Sequence, residues 1–523
     1  MGASSFVRVT VHTTRRFPPR AQGSRNDGRR TIRLNMLKRS RSPAPPDAAG
    51  FVPDLSVVLP VYNAMPWLPI TMKHLLRQRL EGDRSIEIVA AVDGSSDNSL
   101  PFLLEVVSLL GSNLARSERC EPPLMPGVRH ATNPALVQQL RAPETEDHYS
   151  FREGHVATSR ADTLGVEKSV FRDPGNGDAC GTTAPTSAPP DAAEVAASCR
   201  NEHRLLVLHY DGNCGQGAAM SLALSRCRAP LIAQMESDDE RANEHAFAHM
   251  VAELRAHADW DGVSCNVETC GDTGRDRMGA YVAWQNSLGD PSAMAAERFI
   301  EIPALHQSAI YKREVIDDLL APTLGRYRDG PWCASGSQAG GSERSEEGSS
   351  AAEAAHANSL DTPVDLWWWL EFFHAGKRCG KVSGSPLLGW RQHPRQHTRT
   401  HGRLSIENLR KIKVHFLLRR GGPLDGARRV ILLSVGATLS GFEADLRAHP
   451  AIAGKEVVPV EWKPPKNGKG TGACTLPKHV LRRTVGLEED HIVRLWAFGS
   501  SVVRQRIRDH VPDWKQGQDW FVA

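Results

Sequence analysis

Two β-branched runs separated by an amphipathic stretch constrain this chain more than any other feature. Leu55-Ser56-Val57-Val58-Leu59-Pro60-Val61 reads as a buried strand closed by proline. Ile86-Glu87-Ile88-Val89-Ala90-Ala91-Val92 reads as a second and runs straight into Asp93-Gly94-Ser95-Ser96-Asp97-Asn98-Ser99. Between them Leu68, Met72, Leu75, Leu76 and Leu80 recur at helical spacing, with Asn63 as a cap and Pro66 in the first turn. Leu103, Leu104, Val107 and Leu110 form the next apolar stripe. Strand–helix–strand–helix with short connections predicts an α/β fold, a mainly parallel sheet with helices on its faces. Leu205–Leu208 and Pro230–Met235 supply two more strands, the latter ending at Glu236-Ser237-Asp238-Asp239-Glu240.

The 523 residues are long enough for several domains and carry 64 Lys+Arg against 60 Asp+Glu. A net charge of +4 argues against a dedicated nucleic-acid binder. The hydrophobic share, 40%, is low for a compact chain, which implies a core diluted by inserts. Residues 1–50 hold eleven Lys/Arg but only Asp27 and Asp47 as acids. Three readings stand for them: a disordered basic leader, an organellar transit peptide, or a mis-assigned start. Residues 112–200 (nine prolines, no sustained period) and the Ser/Gly/Ala/Glu-rich 334–360 read as disordered inserts. They interrupt a main domain over 51–420. Residues 427–523 repeat the strand habit and read as a small separate α/β unit. No apolar run of about 18 residues exists, so a soluble or peripheral protein without an integral membrane segment is expected. The ten cysteines form no C-x-x-C pair, which favours a reducing compartment, cytoplasmic or organellar, over a zinc site.

In open parallel sheets, ligands bind beyond the carboxyl ends of the strands. Two of those ends carry acids: Asp93, and the Glu236, Asp238, Asp239 group. Crowded carboxylates suit a hard divalent ion that bridges to substrate phosphates, or else a solvated loop before a helix.

Together, Ser56–Asn63, Val92–Asp97, Asn213-Cys214-Gly215-Gln216-Gly217 and Glu236–Asp239 resemble, in order, the motifs of the family-2 glycosyltransferases. Leu387-Leu388-Gly389-Trp390-Arg391-Gln392-His393-Pro394 resembles that family's Tyr-Arg-x-His element, and Gly517–Phe521 is similar to the β-1,3-N-acetylglucosaminyltransferase-like branch. The resemblance implies a GT-A fold and an inverting, metal-assisted transfer of a sugar, N-acetylglucosamine by the branch, from a UDP-sugar to an unidentified acceptor hydroxyl. It implies Asp365 as catalytic base. Pro60, Val61 and Tyr62 would lie against the uracil, with Asp93 accepting its hydrogen bond. Glu236, Asp238, Asp239 and His393 would hold Mn²⁺ or Mg²⁺, with Asp238 and Arg391 on the diphosphate. The resemblance puts His306 and Ser308 on the acceptor side. Three consecutive tryptophans cannot all face one core of a helix, so Trp367 or Trp368 reads either as an acceptor-sugar platform or as packing against the neighbouring loop. Val92, Glu236 and Val364 depart from the family's usual acids, which keeps a non-catalytic nucleotide-sugar-binding or scaffold protein as the rival.

Overall fold

The computed structural model describes residues 51–82, 84–122, 188–271, 276–323, 326–330, 351–396, 402–434, 436–461 and 492–497, together with 504–505, 508, 516 and 520–523. The basic leader, residues 123–187 of the first insert, residues 334–350 of the second, and residues 517–519 lie outside these residues.

An eight-stranded sheet of order β10-β7-β9-β5-β1-β2-β4-β3 organises the chain. Its strands are β1 (Leu55–Val61), β2 (Ile86–Asp93), β3 (Ala115–Arg119), β4 (Arg204–Tyr210), β5 (Leu231–Gln234), β7 (Gly262–Cys265), β9 (Ala309–Lys312) and β10 (Cys379–Val382). All neighbouring pairs are parallel except those made by β9, which runs antiparallel to β5 and β7. This is the mainly parallel α/β architecture that the strand–helix alternation predicts. Every residue of β1 and β2 is buried. Because successive side chains point to opposite faces, both faces of this sheet centre are covered.

Helix Gln216–Arg226 packs on β1 and β2, and helix Ser99–Leu110 on β3 and β4. A three-stranded sheet sets β11 (Leu388–Gln392) between β6 (Glu240–Arg241) and β8 (Val267–Gly271). A separate parallel sheet, β13-β12-β14-β15, joins β12 (Arg429–Ser434), β13 (Glu456–Glu461), β14 (Ile492–Trp496) and β15 (Phe521–Val522). Among the described residues no helix is long and apolar enough to cross a membrane.

Three local expectations change. Asn63 does not cap a helix. It sits at φ 45°, and its Oδ1 accepts from the Ser96 and Asp97 N–H groups, while the helix starts only at Leu68. The span 112–200 opens with β3 and closes with the helix Ala192–Ala197, and 334–360 ends in the helix Ala351–Ser359. β3 escapes detection because it is an edge strand on which only Ala115 is buried, so polar side chains replace the apolar run.

Candidate functional site

Four adjacent parallel strands, β5, β1, β2 and β4, deliver their carboxyl ends to one edge of the sheet. There Asp93 closes β2 opposite Tyr210, the last residue of β4. The Tyr210 hydroxyl donates to Asp93 Oδ1 at 2.8 Å, the Cys214 N–H to the same oxygen at 2.6 Å, and the Gly215 N–H to Oδ2 at 2.9 Å. Burial pushes the Asp93 carboxyl above its usual range, while these three donors pull it back. A carboxylate offers about four acceptor positions, so one on Oδ2 takes no donor among the described residues. The contact needs two glycines: a Cβ on Gly94, at φ +60°, would lie 2.3 Å from the Gly212 carbonyl carbon.

The loop Asn213–Gly217 holds more than Asp93. Gln216 Nε2 donates to Glu236 Oε1 at 2.7 Å, and the Gly217 N–H donates to Asp329 Oδ2 at 2.9 Å. Five residues therefore tie together three carboxylates from β2, from the loop after β5 and from the segment 326–330. Burial, then the charges of Asp238, Asp239 and Asp365, drive the Glu236 carboxyl well above its usual range. Asp365, in the first turn of helix Val364–His374, thus stands within electrostatic reach of the strand-end acids. Its Oδ1 accepts the Leu366 N–H at 2.7 Å. Burial raises its pKa to about 6, the Leu366 bond opposes this, and Glu301 and Asp329 add to it.

Asp239 and Asp238 follow different paths. Asp239 is 1% exposed and accepts the Arg391 N–H and the Gln307 amide, each at 2.8 Å. Asp238 is partly exposed and meets His393 Nε2 at 2.9 Å. Arg391 fastens the acids rather than reaching outward: Nε donates to the Asp238 carbonyl and Nη2 pairs with Glu240 at 2.7 Å. Its guanidinium also lies 4.6 Å from the Trp67 ring centre, and Trp67 stacks on His393.

Two of the four residues expected at a metal, Glu236, Asp238, Asp239 and His393, already meet protein donors. Asp239 and one Glu236 oxygen face protein donors, and among the described residues no three His, Cys, Asp or Glu side chains converge as metal ligands. The Asp238–His393 pair does fit a divalent ion: Asp238 Oδ2 and His393 Nε2 lie 2.9 Å apart, the spacing of adjacent ligands in an octahedral shell with bonds of about 2.1 Å, and such ions often take only one or two protein ligands beside waters and phosphates.

The remaining assignments divide by burial. Tyr62 is 40% exposed at the end of β1, whereas Pro60 and Val61 are buried in the strand and present no side chain to a nucleobase. Trp367 is no open platform: Arg328 lies 4.1 Å above its ring, and His415 and Phe416 cover it. Trp368 is core, packed against Tyr311 and Tyr327. His306 is also core, boxed by Tyr311, Tyr327 and Trp368, and burial pushes its pKa down to about 3. Ser308 is fully buried and donates to the Leu305 carbonyl. In that triplet Gln307 is the residue that touches the acids. Accordingly His306→Phe is expected to leave turnover within about threefold and the melting temperature unchanged or raised, since among the described residues His306 Nε2 has no partner to lose. Parallel kinetics and calorimetry check it.

Gln216, Gln307, Asp329 and Trp67 were not singled out by the sequence. Gln216 and Gln307 carried a signal, the first inside the glycine loop and the second between His306 and Ser308.

No protein-family model and no curated protein matches the sequence. Among solved structures, the chain is similar to S. aureus TarS 1-349 in complex with UDP-GlcNAc, at 12% identity and TM-score 0.37, over 70% of this chain and 66% of that one. It is also similar to a further S. aureus TarS structure, at 12% identity and TM-score 0.36, over 70% and 40%. The mannosyltransferase PcManGT from Pyrobaculum calidifontis, in complex with GDP-Man and Mn2+, matches at 14% identity and TM-score 0.32, over 73% and 67%. The chain spans less than two thirds of the length of these TarS chains, and overlaps at such TM-scores carry no weight for its activity.

Proposed function

We propose that this protein is an inverting glycosyltransferase that moves a sugar from a UDP-sugar donor to an acceptor hydroxyl. The observation that carries the reading is the loop Asn213–Gly217, which gathers Asp93, Glu236 and Asp329 at the carboxyl edge of the sheet, within reach of Asp365. In this arrangement Tyr62 stacks on the nucleobase, and the remaining position on Asp93 Oδ2 accepts a base N–H. Asp238 and His393 would hold a divalent ion, which would supply positive charge to the departing diphosphate. Asp365 takes the proton of the acceptor hydroxyl as its oxygen bonds to the anomeric carbon. The bond from that carbon to the diphosphate oxygen breaks on the opposite face, UDP leaves, and the configuration inverts. A general base works best with a pKa near the working pH, and Asp365 sits at about 6.

The test is a UDP-sugar turnover assay with and without Mn²⁺, run beside calorimetry with UDP. Expected are UDP binding, metal-dependent UDP release and loss of release in Asp238→Ala. UDP binding without any turnover would support the scaffold reading, which the extensive protein-side engagement of Asp93 and Arg391 favours. Neither binding nor turnover would end both.

A further inference from the structure

The segment 326–330 belongs to no motif, yet it touches both halves of the site. Asp329 places its carboxylate on the Gly217 N–H, at the start of helix Gln216–Arg226. The approach is close: a Cβ on Gly217 would come within 2.5 Å of Asp329 Cβ, and one on Gly215 within 2.9 Å of its Oδ2. The other carboxylate oxygen is ion-paired to Arg403. Arg403 also holds Asp361 at 2.8 Å, and Asn408 donates to the Asp361 and Arg403 carbonyls. One residue on, Gly330 and Thr362 bind each other twice, the Gly330 N–H to the Thr362 carbonyl at 2.9 Å and the Thr362 hydroxyl to the Gly330 carbonyl at 3.1 Å. Thr362 and Pro363 lead directly into the helix that carries Asp365.

Asp329 is thus bonded on one side to the loop that grips Asp93 and Glu236, and on the other to the chain entering the base. We propose that Asp329 is a positioning residue: its carboxylate, steadied by Arg403, locks the donor-side glycine loop to the Asp365 helix and fixes the distance between donor and base. The assignment rests on Asp365 being the base of the proposed transfer. A brace of this kind acts on catalysis through alignment, where a misplacement of about 1 Å can cost about a hundredfold in rate. It leaves donor affinity nearly intact, because Asp93 keeps its own donors from Tyr210 and Cys214.

Asp329 also acts on Asp365 through charge. Glu301 and Asp329 are the charges that raise Asp365, and Asp365 in turn raises Glu236 and the Tyr281 hydroxyl, so the carboxylates near the base oppose its ionisation. Removing the Asp329 charge therefore favours the ionised base. Removing Arg403 leaves that charge without its counter-ion and disfavours it.

The experiment compares wild type, Asp329→Asn, Arg403→Met and Asp365→Asn by steady-state kinetics across pH, with UDP calorimetry and thermal melts. Expected for Asp329→Asn is a kcat lower by about ten- to a hundredfold, a donor KM within about threefold, and an acid limb of kcat/KM moved to lower pH. Arg403→Met should move that limb to higher pH. Limbs that do not move in opposite directions, or a kcat loss matched by an equal loss of UDP affinity, overturn the inference and leave a purely structural link. Should Asp329→Asn fail to fold, Arg403→Met alone decides by the direction of its limb. Full activity in Asp365→Asn would instead overturn the base assignment, a failure separate from that of Asp329.

Discussion

Asp365→Asn is expected to abolish sugar transfer and at the same time to raise the melting temperature. A base at an acceptor hydroxyl contributes about 10²–10⁴-fold to rate, and asparagine cannot take the proton. In the wild type, kcat/KM should fall as pH drops below about 6, because the base must be ionised. Stability runs the other way. The folded-state value lies above the usual 3.8, so the fold prefers the protonated carboxyl. Above pH 6 the ionised form costs stability, up to about 3 kcal/mol at 1.36 kcal/mol per pH unit. That cost shrinks as pH falls through 6 and is gone below 3.8. Asparagine is neutral throughout and can still accept the Leu366 N–H, so it relieves the cost at neutral pH. Activity and stability therefore separate, as expected where a strained charge is kept for chemistry. A purely structural role for an acid in the first turn, at the positive end of the helix, predicts the reverse, intact activity with about 0.3–1 kcal/mol of stability lost. Kinetics and melting curves on one preparation decide between the two.

How much of this was legible in the sequence depends on distance along the chain. β1, β2, β4 and β5 announce themselves because buried parallel strands must be nearly continuous apolar runs, and the acids at their ends follow from the geometry of open sheets. The helix Ala192–Ala197 also left a readable sign: Asp191 accepts the Glu194 N–H, a cap three residues from an acid, within a stretch that otherwise lacks periodicity. Asp329 left none. Its partner Gly217 is 112 residues away, and nothing in the local pattern marks a lone aspartate as the brace of a loop so distant. The aromatic residues show a second kind of illegibility. Trp367 and His306 have the composition of a sugar platform and an acceptor contact, and the same composition suits a core. Arg328, His415 and Phe416, from two other segments, cover the first, and Tyr311 and Tyr327 enclose the second.

Asp239→Ala separates a metal ligand from a structural acid. The Asp239 carboxyl is pushed well above its usual range, chiefly by burial and then by Asp238, while the Arg391 N–H and the Gln307 amide draw it back. Both donors are themselves buried, so truncation to alanine strands a backbone N–H and a side-chain amide away from water. Each stranded donor costs about 1–3 kcal/mol, which puts the loss at about 2–6 kcal/mol. The damage should spread along β11, because Arg391 sits two residues before His393 and fastens that strand to the acid loop through the Asp238 carbonyl and Glu240. Turnover then falls because the Asp238–His393 contact is misplaced. Added Mn²⁺ should not restore it, and the melting temperature should drop with it. A true ligand behaves differently: the fold is kept, the metal requirement rises, and excess Mn²⁺ recovers part of the rate. Asp239→Asn sharpens the contrast, since its amide keeps one acceptor oxygen but presents a donor to the other partner, so an intermediate stability loss is expected. A metal titration of turnover alongside thermal melts of both variants therefore reads out the role of Asp239. Full stability in Asp239→Ala would return this carboxylate to the metal.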